Sequence, residues 1–212
     1  VLGGSNVVIL ITGCARSGTS LTTQMLEVCG AKLGPEKDVN ALYENVVVRQ
    51  SILKPMISEF GGDPLGQSHF PAPSRVKEVP GLQGRVLGAL GGNIRGLAYK
   101  DAKLALVWQA WAKAFPMAKW VLVRRDRVEI IDSCIRTSFM AAHGNDRDAW
   151  GRWVDEQVKR FDAMKVAGLD IVEVWPRRVI RDAHEFAPVA DHCGLRFDPR
   201  AVRRCVKPDL YR

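Results

Sequence analysis

Apolar positions along this chain fall into two alternating patterns, short unbroken runs and stripes with helical spacing. Val7, Val8, Ile9, Leu10 and Ile11 form one continuous, mostly β-branched run that leads into Thr12 and Gly13. A strand covered on both faces of a parallel sheet reads this way, so residues 7–11 are expected as the central strand. Beyond a turn, Leu21, Met25, Val28 and Cys29 recur at helical spacing until Gly30 stops them, which predicts strand, glycine-rich loop and helix in succession. The alternation returns later. Residues 97–100 and 120–123 read as short strands, with Leu104, Val107, Trp111 and Phe115 as an apolar helical stripe between them. Val128, Ile131, Ile135 and Phe139 predict a further helix, and residues 170–175 a fourth strand. Strands alternating with helices imply an α/β fold, a central parallel sheet flanked by helices through right-handed crossovers.

Two segments break the alternation. Residues 41–60 carry Leu42, Val46, Ile52, Leu53 and Met56 at mixed helical spacing, which predicts a helix from near Asn40 that kinks or breaks at Pro55. Residues 61–80, rich in Gly, Pro and Ser, read as a long mobile loop, a lid or substrate-facing segment. No repeat, low-complexity tract or composition break divides the chain, so residues 1–212 are expected to form a single domain.

Composition narrows the classes. With 212 residues, 47% hydrophobic and 25% charged, the chain can bury a core, and wholesale disorder and collagen-like or fibrous structure are excluded. The five cysteines (Cys14, Cys29, Cys134, Cys193, Cys205) are scattered and lack any CxxC pair, which points to a reducing compartment and away from a disulfide framework or structural zinc. A net charge of +8 fits an anionic partner. No apolar run approaches the roughly 20 residues of a membrane span, and no signal-type sequence precedes the first strand. A cytoplasmic protein of bacterial or viral type is therefore expected, with an anchor upstream of Val1 left open.

The chemistry concentrates in Gly13-Cys-Ala-Arg-Ser-Gly-Thr-Ser20, which leaves a buried strand and opens a helix. In that setting successive backbone N–H groups and a helix N-terminus wrap an anionic phosphate. The spacing is that of the phosphate-binding loop G-x-x-x-x-G-K-[ST], but Thr19 occupies the lysine position and a cation appears at Arg16 instead. Losing that lysine counts against ATP or GTP hydrolysis. The segment Ala15-Arg16-Ser17-Gly18-Thr19-Ser20 resembles the phosphosulfate loop of sulfotransferases that use 3′-phosphoadenosine 5′-phosphosulfate (PAPS), with Ala for the usual Pro and Ser for the last Thr. The resemblance implies a P-loop-NTPase-like three-layer fold. It also implies that Arg16, Ser17, Gly18, Thr19 and Ser20 hold the 5′-phosphosulfate, with Arg16 as the catalytic cation. A second family signature, a strand ending in arginine with a serine eight residues on, is matched by Arg125 and Ser133, implied to grip the 3′-phosphate; Arg124 is the competing register. A dianionic phosphate wants such a guanidinium fork and a neutral donor near a helix start.

Tyr99-Lys100-Asp101 resembles the Lys-Asp-Pro segment beside the active site of several bacterial and tyrosyl-protein-type sulfotransferases, with Ala102 for the proline, and gives Lys100 a catalytic role beside Arg16. For the general base, Glu44 in Asn40-Ala-Leu-Tyr-Glu-Asn45 resembles a bacterial Gly-Tyr-x-Glu-Asn segment and is preferred over Glu36 and over His69. The implied reaction is in-line transfer of a sulfuryl group from PAPS to a hydroxyl or amine, leaving adenosine 3′,5′-bisphosphate and needing no metal. His184, His192 and Cys193 have no completing ligand pair at metal-binding spacing. Trp108 and Trp111, like Trp150 and Trp153, stand at i, i+3 spacing and predict core or acceptor-pocket wall. Arg177, Arg178 and Arg181 share one basic helical face, and Lys207, Tyr211 and Arg212 lie where such enzymes often finish the nucleotide site. The expected partner is a small-molecule, carbohydrate or peptide acceptor, not nucleic acid. Two alternatives stay open: a P-loop kinase or nucleotide hydrolase with a displaced lysine, and a non-catalytic polyanion-binding module.

Overall fold

A computed structural model of the chain describes residues 7–35, 43–92 and 94–206. In chain order its regular elements are β1 (Ile9–Gly13), α1 (Thr19–Val28), α2 (Val46–Val48), a π-helical turn (Arg49–Leu53), α3 (Lys54–Glu59), α4 (Leu82–Ala89), β2 (Ala98–Lys100), α5 (Trp108–Ala114), β3 (Lys119–Val123), α6 (Arg127–Ile135), α7 (Arg147–Val166), β4 (Ile171–Val174), α8 (Pro176–Arg181), α9 (Ala187–His192) and α10 (Pro199–Cys205). The strands form one parallel sheet in the order β2-β1-β3-β4. β1 is a central strand, as its unbroken apolar run requires, and both its faces are covered.

Alternation along the strands splits the core into two layers. Leu10, Tyr99, Trp120 and Leu122 point to one face, against Met56 of α3, Val86 of α4, Trp111 of α5, Ile130 of α6 and Trp150 of α7. Ile9, Ile11, Val121 and Val123 point to the other, against Leu21 and Met25 of α1, Val179 of α8, Val189 of α9 and Val202 of α10. The result is the expected three-layer α/β sandwich, helices over both faces of a parallel sheet.

Local departures from the sequence reading have local causes. β1 runs on through Thr12 to Gly13, because the Thr12 hydroxyl donates to the Ala102 carbonyl at 3.2 Å and so is satisfied inside the sheet. The stripe from Leu104 to Phe115 is two pieces, a 3-10 turn at Ala102–Leu106 and then α5, divided at Val107 by an extended φ of −134°. The helix expected from near Asn40 begins at Val46; Asn40 lies outside the described residues, and the Asn45 side chain accepts from Val48 N–H as the N-cap. The helix does not break at Pro55: its backbone stays helical from α2 through the π turn into α3, and the π turn just before Pro55 is where its hydrogen bonding departs from the α pattern. Phe139, read as the end of α6, lies beyond it and is exposed. The 20-residue α7 showed in the sequence only through its tryptophans, and both are buried.

Residues 61–80 are pinned to their surroundings. The Asp63 carboxylate accepts from the N–H groups of Leu65, Gln67 and Ser68 at 2.9, 2.9 and 3.0 Å. Trp153 Nε1 donates to the Gly66 carbonyl at 2.9 Å, and Arg160 of α7 donates to the Pro71 carbonyl at 3.1 Å with its guanidinium over the Phe70 ring. Gln67 Nε2 donates to the Phe139 carbonyl at 2.7 Å, tying this segment to the one after α6.

Candidate active site

The parallel strands end along one edge of the sheet, where folds of this kind place functional groups. At that edge Gly13 lies so close to β3 that a Cβ would sit 2.5 Å from the Val123 carbonyl oxygen and 2.8 Å from Ser17 Oγ. Only glycine fits. The loop then turns through two left-handed residues, Arg16 (φ 71°) and Gly18 (φ 97°), and closes with Ser17 N–H donating to the Cys14 carbonyl at 3.1 Å. Gly18 caps α1 with no side chain, and the helix has no acidic residue in its first turn. Its leading N–H groups, the positive end of the helix dipole, are thus left for an anion. Ser17 Oγ is buried with no hydrogen-bond partner among the described residues and turns back toward Gly13 beneath the loop, not into the cavity. Burial pushes the thiols of Cys14, in this loop, and Cys134 up to about 12, so neither is a nucleophile at neutral pH.

The second half of the site comes from far along the chain. Arg16 Nε donates to Ser133 Oγ on α6 at 3.0 Å, and its guanidinium lies 5.8 Å from the Phe139 ring centre. Arg125 Nη1 donates to the Arg16 carbonyl at 2.7 Å, and its Nε to Glu129 at 3.1 Å. Arg124, the competing register, turns away: it faces Glu173 at 3.5 Å and the rings of Phe161 and Trp175. Arg125 and Ser133 line the same cavity as the loop and Arg124 does not.

The third part is a buried polar cluster at the end of β2. Lys100 and Glu44 are 2% and 3% exposed. Lys100 Nζ is 3.0 Å from Glu44 Oε1 and donates to Ser20 Oγ at 3.4 Å, while Arg49 Nη1 is 2.9 Å from Glu44 Oε2. Burial would lift the Glu44 carboxyl, but Lys100, Lys103 and Arg49 outweigh it and hold the group below the ordinary glutamate range. Asp101, fully buried, takes Lys103 N–H and Nζ on one oxygen, each at 2.8 Å; burial pushes its carboxyl up against the pull of Lys103.

These groups share one open cavity of about 700 Å³, within the range of small-molecule sites. Arg16, Gly18, Thr19, Ser20, Glu44, Lys100, Arg125 and Ser133 line it; Ser17 lies buried under the loop. His69 is exposed beside Ser68 and does not line it. Glu36, Lys207, Tyr211 and Arg212 lie outside the described residues. Arg49, Gln50, Lys54, Gln67, Lys103 and Arg136 also line the cavity and escaped the sequence reading. Their signal was faint; the π turn places Arg49, Gln50 and Lys54, the 3-10 turn Lys103, the Asp63 turn Gln67 and the end of α6 Arg136. Among the described residues no group of three or more His, Cys, Asp or Glu is placed to hold a metal ion, and no helix is long and apolar enough to cross a membrane.

No family model matches the chain, and no curated protein matches it. Among solved structures it is similar to the sulfotransferase STF1 from Mycobacterium tuberculosis H37Rv, with a TM-score of 0.52 and 17% identity over 94% of this chain and 70% of that one. It is equally similar to the sulfotransferase domain of the olefin synthase from Synechococcus PCC 7002, with a TM-score of 0.52 and 16% identity over 98% of this chain and 79% of that one. At these identities the likeness is one of fold: the chain has the three-layer fold of these sulfotransferases.

Proposed function

We propose that this chain is a sulfotransferase that moves a sulfuryl group from PAPS to a hydroxyl or amine of a small-molecule, carbohydrate or peptide acceptor, without a metal ion. The observation that carries the reading is a convergence. The anion loop and the Arg125/Ser133 pair, over a hundred positions apart in sequence, are joined side chain to side chain by Arg16 and Ser133, and by Arg125 on the Arg16 carbonyl. A donor with phosphate groups at both ends of one ribose needs two anion sites held next to each other. The close approach of Gly13 to β3 and the uncapped start of α1 fit the first of them.

In this reading the backbone from Arg16 to Ser20, with the Thr19 and Ser20 hydroxyls, holds the 5′-phosphosulfate, and Arg125 and Ser133 hold the 3′-phosphate. The bound donor supplies an activated sulfuryl group, which an acceptor oxygen or nitrogen takes as the bond to the 5′-phosphate breaks. Arg16 and Lys100 stabilise the negative charge that develops on the leaving phosphate. Glu44 receives the acceptor's proton, its carboxylate kept ionised by its cationic neighbours. Lys100 bridges the two ends, since Ser20 of the loop and Glu44 both lie within its reach.

Calorimetric titration with adenosine 3′,5′-bisphosphate in EDTA, run beside ATP with magnesium, tests the donor site. Tight metal-free binding is expected, weakened at least about tenfold in Arg125→Ala, as the loss of a charge-assisted contact predicts. Absence of binding to the folded protein, or a preference for ATP with magnesium, overturns the proposal.

A further inference from the structure

The donor reading uses the loop, Arg125, Ser133 and Lys100, yet further cations line the same cavity. Arg49, Lys54 and Lys103 line it together with Lys100. Among the described residues, two carboxylates are paired with these cations. Glu44 is shared between Lys100 and Arg49, and Asp101 is spent on Lys103 from a fully buried position. Lys54 has no ion pair among the described residues, although it borders the cavity.

The backbone places Lys54 there by a specific device. Over Arg49–Leu53 the turn is π-helical, and Lys54 N–H donates to the Arg49 carbonyl. In an α-helix positions 49 and 54 would lie about 140° apart round the axis, whereas the wider i→i+5 turn brings Lys54 back over Arg49. Both side chains, with Gln50, therefore reach one wall. Leu65, 59% exposed, lines the same cavity, a large apolar side chain that gains from a cover.

We infer that the acceptor carries an anionic group next to an apolar body, the anion held by Arg49, Gln50 and Lys54 and the body lying against Leu65. The inference rests on the sulfotransferase reading for the identity of the donor half. A lysine that borders this cavity with no ion pair among the described residues can hold an anion there, and the acceptor is the ligand left to bring one.

The test is a titration of phenyl phosphate and of benzoate into protein saturated with adenosine 3′,5′-bisphosphate, with benzyl alcohol as the neutral ring of similar size. One or both anions should bind at least about tenfold more tightly than benzyl alcohol; which of them does so tells a phosphate from a carboxylate. Lys54→Ala should weaken that anion at least about tenfold and Lys54→Glu should abolish its binding, while both variants keep the parent's affinity for adenosine 3′,5′-bisphosphate and its melting temperature. Anions that bind no better than benzyl alcohol, or that bind Lys54→Ala as well as the parent, overturn the inference. Failure of adenosine 3′,5′-bisphosphate to bind removes the donor reading instead; the same anions and the same Lys54 variants on the unloaded protein then decide this inference by the same criterion.

Discussion

Glu44 is where single-residue chemistry is most exposed to test. One of its oxygens meets Lys100 and the other Arg49, both inside a nearly solvent-free cluster. Such a carboxylate stays ionised at neutral pH but is a weak base while both ion pairs hold, and it also positions Lys100. Substituting Glu44→Gln keeps the shape and removes the basic oxygen. Turnover should fall at least about a hundredfold if Glu44 takes the acceptor's proton, with affinity for adenosine 3′,5′-bisphosphate unchanged; near-normal turnover would leave it the positioning role alone. Legibility in sequence differs sharply between residues of this site. The loop from Gly13 to Ser20 could be read because its shape is local, set by glycine spacing and a following helix. Arg49 and Lys54 could not, because nothing in a run of mixed apolar spacing announces an i→i+5 turn.

At the scale of elements, the 61–80 segment shows how a stretch without regular structure is organised by side-chain acceptors. Asp63 collects three backbone N–H groups, and burial, which would lift its carboxyl, is outweighed by those bonds, so the group sits below the ordinary aspartate range. Asp63→Ala should cost about 1–2 kcal/mol in urea unfolding at pH 7, comparable to losing a helix cap. The sign of the pH dependence follows from a folded-state pKa below the unfolded one. The contribution is complete above the unfolded value of about 3.9 and disappears as pH falls through the folded one, so the gap between parent and variant should close on acidification. A gap that persists at low pH would mean the loop is held by its other contacts. Composition marked this segment as a loop, but its ties to α7 through Trp153 and Arg160 come from residues about ninety positions later, and no local pattern carries such pairings.

Across the whole molecule, the apolar layer between β2 and α5 links the fold to the site. Trp111 is fully buried and stacks on Tyr99 of β2 at 5.4 Å and on Phe115 at 5.8 Å, directly beneath the strand end that carries Lys100. Trp111→Ala should lower the unfolding free energy by about 3–5 kcal/mol, read as a lower urea midpoint at unchanged slope; a loss under about 1 kcal/mol would mean that this layer collapses onto the cavity at little cost. The sequence by itself determined the alternation of strands and helices, the central place of β1, the cradle around Gly13 and Gly18, and the basic balance of the chain, because these follow from periodicity, glycine geometry and charge within short windows. Only the tertiary structure decided that Arg125 rather than Arg124 joins Arg16, that Glu44 and Lys100 meet across 56 positions, and that a π turn brings Arg49 and Lys54 to one wall. Those outcomes depend on which strand ends lie side by side and on which way a turn is wound, and both are set by burying the two faces of the sheet at once.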